Sequence, residues 1–344
     1  MKIRKLILFT LSIILVAGSI ISYRYYNMIY KSNITENNFI YIPNDATFEQ
    51  VIALTSPYLK NKASFTWVAK KKNYPNKVKS GRYAIKNGMS NNTLVDLLRS
   101  GNQTPVKVSF NNQDSLEKLA GRIAEQIEPD STTILNAITD LEFLTKHNFT
   151  KSTVLGLFVP NSYEFFWNTS AEKFRDRFIR EYNVFWNKDR LAKAKKLNLT
   201  QNEVITLASI VQKETSQISE RSVVAGLYLN RLRQRWPLGA DPTIIFALKQ
   251  EYGQDKIYKR VLNKDLEIDS PYNTYKNLGI PPAPISMPDV SSIDAVLNDQ
   301  RHDYYYMCAS VTKIGYHEFA KTLAQHNVNA SKYHKWVSKQ GIKR

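Results

Sequence analysis

Glu214 is the residue in this sequence whose position best suits acid–base chemistry. It follows Leu207, Ile210 and Val211 at spacings of seven, four and three residues, which puts all four side chains on one face of a helix. A carboxyl group at the end of an apolar face loses hydration, and this loss raises its pKa. A carboxylic acid that stays protonated near neutral pH can donate a proton to a leaving glycosidic oxygen. The alternative is an ordinary glutamate that ends an amphipathic helix at the surface.

Two further carboxylates could share this chemistry. Most enzymes that hydrolyse glycosides use a pair, one carboxyl group as the acid and the other as the nucleophile or base. Asp241 precedes Pro242 and could equally be a turn residue or the N-cap of a helix. Glu220 lies near the start of a predicted helix, where a negative charge stabilises the helix dipole. From these patterns alone, neither is assigned as a second acid–base group.

The segment Ser270–Tyr275 carries side chains of the kind that bind sugars. Its rings could stack on sugars and its amide could bond acetamido groups, through Tyr272, Asn273, Thr274 and Tyr275. An aromatic-rich turn is the alternative interpretation. His317 and His326 could be metal ligands, but the chain has five His and one Cys, and no ligand cluster accompanies the two histidines. We therefore expect neither a metal nor a cofactor.

The composition indicates a folded, basic protein. Its 48 Lys and Arg against 30 Asp and Glu give a formal net charge of +18, which favours nucleic acid, anionic lipid or acidic cell-wall polymers as neighbours. The basic residues are spread over short runs, so a solvated lysine-rich surface explains the charge equally well. The single cysteine, Cys308, lies in an apolar run and is expected to be buried, and it excludes an intrachain disulfide framework.

The N-terminus predicts a membrane anchor. Basic residues precede Leu6–Tyr23, which carries no charge, and about 20 residues are needed to cross a hydrocarbon core of roughly 30 Å. The alternative is a signal peptide cleaved near Ala17–Ser19, but apolar Ile20 and Ile21 continue the run. The basic residues predict a cytoplasmic N-terminus and an extracytoplasmic body. Such a location argues against a nucleic-acid partner.

Two regions follow the anchor and a polar linker, Ser32–Asn38, and together they predict an α+β fold. The predicted strands are Phe39–Ile42, Gly81–Ile85 and Val106–Phe110. The predicted helices are Ala46–Lys60, Ser90–Arg99, Ser115–Gln126, Ser131–Leu144 and Ala171–Trp186. Thr200 and Glu203 fit a capping box for the helix that carries Glu214, and a second helix is expected to begin at Ser219.

Several ordered motifs carry a family resemblance. Ala208–Thr215 reads Ala-Ser-Ile-Val-Gln-Lys-Glu-Thr. The other motifs are Gly156–Tyr163, Asn230–Leu232, Leu238 with Asp241–Thr243, Ser270–Tyr275, Gly279–Ile285, and His317 with His326–Asn327. Together they resemble the membrane-anchored endolytic murein transglycosylases, also called YceG-like proteins, over nearly the whole chain.

The resemblance implies a domain organisation and a site. It implies an anchor in residues 1–31, a LysM-like domain in 39–105 and a catalytic domain in 106–344, helix-rich with a short sheet. In the family motif the second glutamate is catalytic, and it corresponds to Glu214. The residues expected to bind substrate are Asp241, Thr243, Tyr272, Asn273, Thr274, Tyr275, Tyr163 and His317.

The implied reaction is lytic cleavage of peptidoglycan glycan strands beside the cell membrane, which would end strand growth. Glu214 would protonate the oxygen between N-acetylmuramic acid and N-acetylglucosamine, and the muramyl C6 hydroxyl would attack C1 to give a 1,6-anhydro end. Peptidoglycan synthases are implied as partners. The alternatives are a non-catalytic peptidoglycan-binding scaffold for those synthases and a hydrolytic muramidase that uses two carboxylates.

The sequence departs from the family pattern at several positions. Gln212 replaces the first glutamate of the motif, but it lies about 200° from position 214 around a helix and cannot substitute for it. Asn161–Ser162 replaces Asp-Thr, and Leu155 stands where the family usually has Glu. Trp236, Pro237 and Ala240 also alter the loop before Asp241. These departures affect the expected details of the substrate-binding loops, and they leave the assignment of Glu214 as the acid unchanged.

Overall fold

The computed structural model describes residues 2–258 and 260–339. Residue 1, residue 259 and residues 340–344, which belong to the first and last predicted domains, lie outside the described residues. The fold is helix-rich α+β with short sheets, as predicted.

The described helices run in chain order as follows: α1 Lys2–Tyr30, α2 Phe48–Thr55, α3 Lys62–Lys71, α4 Asn91–Ser100, α5 Leu116–Ala124, α6 Ser131–Ile138, α7 Leu141–Lys146, α8 Ala171–Phe185, α9 Lys188–Lys196, α10 Gln201–Glu214, α11 Arg221–Arg233, α12 Asp241–Tyr252, α13 Val290–Asn298 and α14 Leu323–Lys339. The described strands are β1 Asn38–Ile42, β2 Gly81–Ile85, β3 Val106–Phe110, β4 Asn161–Phe165, β5 Tyr306–Ala309 and β6 His317–Ala320. The strands pair as β1–β2, β3–β4 and β5–β6.

The chain forms two compact units. The first contains the chain up to Val108 together with Ala124–Pro129 and Tyr163–Ser170, and the second contains the remainder. The domain boundary predicted after residue 105 stays a prediction, and no sequence pattern indicated the two short segments that return to the first unit.

The first unit is built on the antiparallel pair β1–β2. Ile40 and Ile42 alternate with more exposed residues in β1, and they face a core completed by α2, α3 and α4. The buried side chain of Asn91, in α4, donates a hydrogen bond to the carbonyl oxygen of Met28 at 2.8 Å. The last turn of α1 is thereby attached to the unit.

Within the part of the chain that the structure describes, α1 is the one helix long and apolar enough to cross a membrane. Its residues from Ile3 to Tyr26 are exposed, and Tyr25 stacks on Trp67 with ring centroids 5.1 Å apart. The predicted polar linker is wrong in part, because Asn33 and Ile34 are buried. Ile34 is a fully buried member of the core, and the side-chain amide of Asn33 donates to Asn91 Oδ1 at 2.6 Å.

The second unit is organised around α10. All residues from Val204 to Val211 are buried, and α11, α12 and α13 pack around the helix. The predicted helix is therefore present, but it is a core helix and not a surface one with a single apolar face. Thr200 and Glu203 form the predicted capping box, in which Glu203 Oε2 accepts from the Thr200 backbone N–H at 2.7 Å.

One predicted helix is divided in the structure. Ser131–Leu144 contains two helices, α6 and α7, because Asp140 caps the second through a hydrogen bond that Phe143 N–H donates at 2.9 Å. Aspartate favours an N-cap over a helix interior. The second predicted helix starts slightly late, since Ile218–Glu220 is a 3₁₀ turn before α11. Cys308 is half-buried in β5, where burial raises the pKa of its thiol.

Candidate active site

Glu214 is the last residue of α10, and its side chain bonds a residue of α11. The hydroxyl of Tyr228 donates to Glu214 Oε1 at 2.5 Å, and Tyr228 itself is 1% exposed. The two helices pack against each other, so this contact joins two elements of the core. A buried donor of this kind holds the carboxyl group in one orientation.

The surroundings of Glu214 raise the pKa of its carboxyl group to about 7. The largest cause is loss of hydration on burial, and the nearby negative charge of Asp241 adds to it. The hydrogen bond from Tyr228 acts in the opposite direction, as do the positive charge of Arg231 and that of the His317 ring whenever it is protonated. A carboxyl group with this pKa can both give and accept a proton near neutral pH, as the apolar spacing predicted.

The hydroxyl of Tyr228 stays protonated in this site. Burial and the neighbouring Glu214 raise the pKa of Tyr228 well above its ordinary value. Tyr228 therefore remains a hydrogen-bond donor whether Glu214 is charged or neutral. We did not predict this role, although Tyr228 lies on the apolar stripe expected for the second helix.

Asp241 and Tyr275 form a second polar pair in the same neighbourhood. Tyr275 Oη donates to Asp241 Oδ1 at 2.5 Å, and burial raises the pKa of Tyr275. Asp241 is the first residue of α12, and Ala240 is its N-cap, so the expected N-cap or turn position is wrong by one residue. Pro242 suits this first turn, where no internal hydrogen bond is lost.

Four predicted substrate-binding residues are buried, and three of them, Thr243, Asn273 and Thr274, are polar. Thr243 and Thr274 share a hydrogen bond of 2.9 Å, and Thr274 Oγ1 also accepts from Ala240 N–H at 2.9 Å. The Asn273 amide donates to the carbonyl oxygens of Leu266 and Ile268, each at 2.8 Å. These bonds attach the Ser270–Tyr275 segment to the start of α12 and fix the backbone around Tyr275.

The other predicted residues occupy different surroundings. Tyr272 is buried against Phe246, with ring centroids 4.7 Å apart, and burial raises its pKa. Tyr163 lies in β4, in the first compact unit, whereas Glu214 belongs to the second. His326 stacks on Tyr306 with centroids 5.4 Å apart, and burial lowers the pKa of the His326 ring.

His317 pairs with the buried carboxylate of Glu220. The His317 backbone N–H donates to Glu220 Oε1 at 2.7 Å, and the ring Nδ1 lies 2.8 Å from Oε2. Glu220 precedes α11 and His317 begins β6, so the pair joins the β5–β6 hairpin to the helical core. Burial of Glu220 was not predicted, because its partner lies 97 residues away in the sequence.

Arg231 is a further site residue that sequence reasoning missed. Its Nε donates to the Tyr305 carbonyl at 2.8 Å, and its Nη1 donates to the Leu238 carbonyl. The guanidinium group is thereby held close enough to affect the charge of Glu214. The Asn-Arg-Leu motif was the available signal, but it gave no indication of which atoms Arg231 binds.

The side chain of Gln212 bonds residues of another helix and not Glu214. Its Oε1 accepts from Asp289 N–H at 2.8 Å and from the Ser292 hydroxyl at 3.0 Å. Gln212 therefore helps to attach α10 to the start of α13, which agrees with the prediction that it cannot replace Glu214.

Across residues 2–258 and 260–339, groups of three or more His, Cys, Asp or Glu that could hold a metal are absent.

Comparison with known proteins identifies one group of relatives. The profile of the YceG-like family matches residues 40–332. An endolytic murein transglycosylase of Bacillus subtilis is 28% identical over 312 residues, which cover 86% of this chain and 84% of the relative. One from Streptococcus pneumoniae is 28% identical over 305 residues, and this chain spans 54% of its length. A crystal structure of a YceG-like protein from Listeria monocytogenes superposes with a TM-score of 0.57 at 28% identity, covering 85% of this chain and 98% of that one.

Proposed function

This chain belongs to the YceG-like family, and we propose that it is an endolytic murein transglycosylase with Glu214 as its acid–base residue. The relatives named for that activity supply the reaction class. The observation that carries the assignment is the Glu214 carboxyl group, whose pKa is raised to about 7 and which is bonded by Tyr228 at 2.5 Å. A general acid is most effective when its pKa lies near the working pH.

The proposed reaction uses one carboxyl group twice. Protonated Glu214 gives its proton to the oxygen between N-acetylmuramic acid and N-acetylglucosamine as the bond from C1 to that oxygen breaks. The Glu214 carboxylate then takes the proton of the muramyl C6 hydroxyl, whose oxygen forms a bond to C1. The products are a free 4-hydroxyl and a 1,6-anhydro end, and no water is consumed.

The surrounding groups suit the charge that develops during this cycle. When Glu214 loses its proton, the Tyr228 hydroxyl and the Arg231 guanidinium stabilise the carboxylate. Asp241 and Tyr275 would contact the sugar next to the cleaved bond, and Tyr272, Tyr163 and His317 are further candidates for substrate contacts. The side chains of Thr243, Asn273 and Thr274 are buried and hydrogen-bonded within the protein, so their proposed part is to hold the Tyr275 segment in place.

The helix α1 supports a single-pass location in the cell membrane. We propose that its N-terminus is cytoplasmic and that the residues after α1 are extracytoplasmic, where glycan strands are found. The proposed LysM-like domain corresponds to residues 39–105, which hold β1–β2 and three helices. Its short strands and helices are the support for this assignment, and glycan binding by it is part of the proposal.

The test is mass spectrometry of the products made from uncross-linked glycan strands. The full chain in detergent micelles is compared with Glu214→Gln and with Glu203→Gln, a matched change on the same helix. Gln at 203 can still complete the capping box. We expect internal fragments with 1,6-anhydromuramyl ends from wild type and Glu203→Gln, and none from Glu214→Gln.

Two other results would replace the proposal. Reducing ends in place of anhydro ends would indicate a hydrolase with a second carboxylate. If glycan strands bind to both wild type and Glu214→Gln but neither protein cleaves them, the chain is a peptidoglycan-binding scaffold.

A further inference from the structure

Glu220 is a buried carboxylate for which the proposed cleavage provides no task. It is 6% exposed, although burying a carboxylate is unfavourable unless it is paired and hydrogen-bonded. Both of its oxygens are used by one residue, His317, through the backbone N–H at 2.7 Å and ring Nδ1 at 2.8 Å. Both residues lie within the second unit, and Glu220 is six residues along the chain from Glu214.

The pairing determines which ring nitrogen of His317 carries a proton. An ionised carboxylate only accepts hydrogen bonds, so Nδ1 must be the donor in this contact. In the neutral ring the remaining nitrogen, Nε2, is then an acceptor. Throughout residues 2–258 and 260–339, no group is hydrogen-bonded to Nε2 of His317.

The hairpin that carries His317 is fixed beside the end of α10. Gly315 adopts φ +82°, and a Cβ there would lie 3.3 Å from the side-chain nitrogen of Gln217. The hydroxyls of Ser219 and Tyr316 are 3.4 Å apart. The turn between β5 and β6 therefore packs on the segment that connects Glu214 to α11, and the His317 ring is close enough to influence the charge on Glu214.

We propose that Glu220 is a positioning residue, which holds His317 so that its Nε2 accepts a hydrogen bond from a sugar hydroxyl bound beside Glu214. This inference rests on the proposed function. It assigns Glu220 a part in substrate orientation, and it makes the tautomer of His317 a condition of activity. The proton of the hydroxyl that attacks C1 still passes to Glu214, so the balance of the reaction is unchanged.

A purely mechanical role is the competing explanation. The Glu220 carboxylate could serve only to attach β6 to the core, in which case any side chain that preserves the attachment would preserve activity. Two variants separate the possibilities. In Glu220→Gln the amide oxygen can still accept from the His317 backbone, but the amide NH₂ faces Nδ1 and favours a proton on Nε2. In His317→Asn the amide can still donate to Glu220, but the Nε2 atom is absent.

The experiment combines nitrogen NMR and kinetics on the full chain in lipid nanodiscs. Histidines are labelled with ¹⁵N, and the His317 signals are assigned by their loss in His317→Asn. Spectra are recorded at a pH at which titration shows the ring to be neutral. We expect the Nδ1–H tautomer in wild type and the Nε2–H tautomer in Glu220→Gln. The matched control is Glu318→Gln, one residue along the same strand, where Gln can still accept from Ser310 and Thr312.

In kinetics on glycan strands, we expect kcat/KM to fall about ten- to a hundredfold in Glu220→Gln and in His317→Asn, the usual range for one hydrogen bond to a charged or strongly polar group. The double variant should lose little more than either single one, and Glu318→Gln should match wild type. Thermal unfolding of each variant reports whether the fold is kept.

An unchanged tautomer in Glu220→Gln, or wild-type kcat/KM in folded His317→Asn, would overturn the inference and leave Glu220 as a structural attachment. Failure of the proposed function would appear differently. Glu214→Gln would then keep its activity, while the tautomer of His317 would still respond to Glu220→Gln.

Discussion

The acidity of Glu214 results from opposing effects of a few neighbouring side chains. Burial favours the neutral carboxyl group, while the hydrogen bond from Tyr228, the charge of Arg231 and, when its ring is protonated, the charge of His317 favour the carboxylate. Burial outweighs the opposing effects and leaves the pKa of Glu214 at about 7. Because each neighbour contributes to this value, removal of any one of them should move the pH range in which the enzyme works.

Tyr228→Phe should shift the pH profile upward. The variant loses a hydrogen bond that stabilises the Glu214 carboxylate, so the pKa of Glu214 should rise above its value of about 7, by roughly one unit. The acid form would then persist to higher pH, and the alkaline limb of kcat/KM would move in the same direction. The control is Tyr182→Phe, a buried tyrosine that packs against Phe149 and Trp186. A profile that stays in place in Tyr228→Phe would contradict the assignment of Glu214 as the acid.

Glu214→Gln should stabilise the fold at alkaline pH. The pKa of Glu214 is 4.5 without the fold and about 7 in it, so the folded chain binds more protons between these values. The free energy of unfolding therefore falls as pH rises from 4.5 through 7, and it stays low above 7. The raised pKa corresponds to up to about 3 kcal/mol at 1.36 kcal/mol per unit. Urea unfolding should show the variant more stable than wild type by about 1–3 kcal/mol at pH 8, with little difference at pH 4.5. Equal stability at pH 8 would mean that Glu214 is not desolvated.

The raised pKa of Glu214 could be predicted from sequence, but most of the neighbours of this residue could not. The spacing from Leu207 to Glu214 is a local signal, because helical periodicity relates residues a few positions apart. The Glu220–His317 contact spans 97 residues, and no local pattern encodes such a pairing. Thr243 and Asn273 show the opposite difficulty: the motifs identified them, yet their side chains are buried. A motif specifies residue types, whereas the direction of each side chain depends on tertiary packing.

At the scale of elements, the site depends on close packing around α10 and α11. Gly226, in the middle of α11, allows one such approach. A Cβ at this position would meet the Gln300 carbonyl oxygen and would lie 2.6 Å from His302 Nε2. His302 in turn bonds the Val223 carbonyl at 2.9 Å. The segment before β5 is therefore held directly against the helix that carries Tyr228.

Gly226→Ala should lower stability, although alanine is the better helix former. Alanine normally stabilises a helix interior by about 1 kcal/mol relative to glycine, but here its Cβ would displace backbone, at a cost of about 1–3 kcal/mol. Gly121→Ala is the matched control, since Gly121 lies in α5 and a Cβ there meets nothing within 4 Å. Thermal unfolding should show a lower midpoint for Gly226→Ala and an equal or higher one for Gly121→Ala. A change in the same direction for both would show that helix propensity, and not the close approach, decides the effect.

Elements with a clear apolar period were predicted well, and basic ones were not. Gly81–Ile85 and Val106–Phe110 have the predicted bounds. In contrast, α3 and α9 lie in segments that the sequence presented only as basic stretches, and α9 buries one residue, Ala194. These helices are specified more by their N-caps, Asn61 and Asn187, than by an apolar face.

At the scale of the whole molecule, the apolar helix α1 is part of the first unit. The 29 residues of α1 extend for about 44 Å at 1.5 Å per residue, which exceeds a hydrocarbon core of roughly 30 Å. The part of α1 that exceeds the hydrocarbon core includes its C-terminal end, where the Met28 carbonyl accepts from Asn91 and Tyr25 stacks on Trp67. We therefore expect the first unit to remain next to the membrane surface, without a free tether between them.

The orientation of the whole chain can be tested with single cysteines. Cys308 is the one cysteine in the sequence, so Cys308→Ser provides a background to which Lys5→Cys or Asn102→Cys is added, both at exposed positions. A membrane-impermeant maleimide applied to intact cells should label Asn102→Cys and should label Lys5→Cys only after permeabilisation, because basic residues favour the cytoplasmic side. Labelling of Asn102→Cys only after permeabilisation would place the body in the cytoplasm, away from glycan strands, and would remove the proposed substrate. Release of the labelled body from the membrane fraction, with a mass that indicates cleavage near Ala17–Ser19, would instead show that the N-terminal helix is a signal peptide.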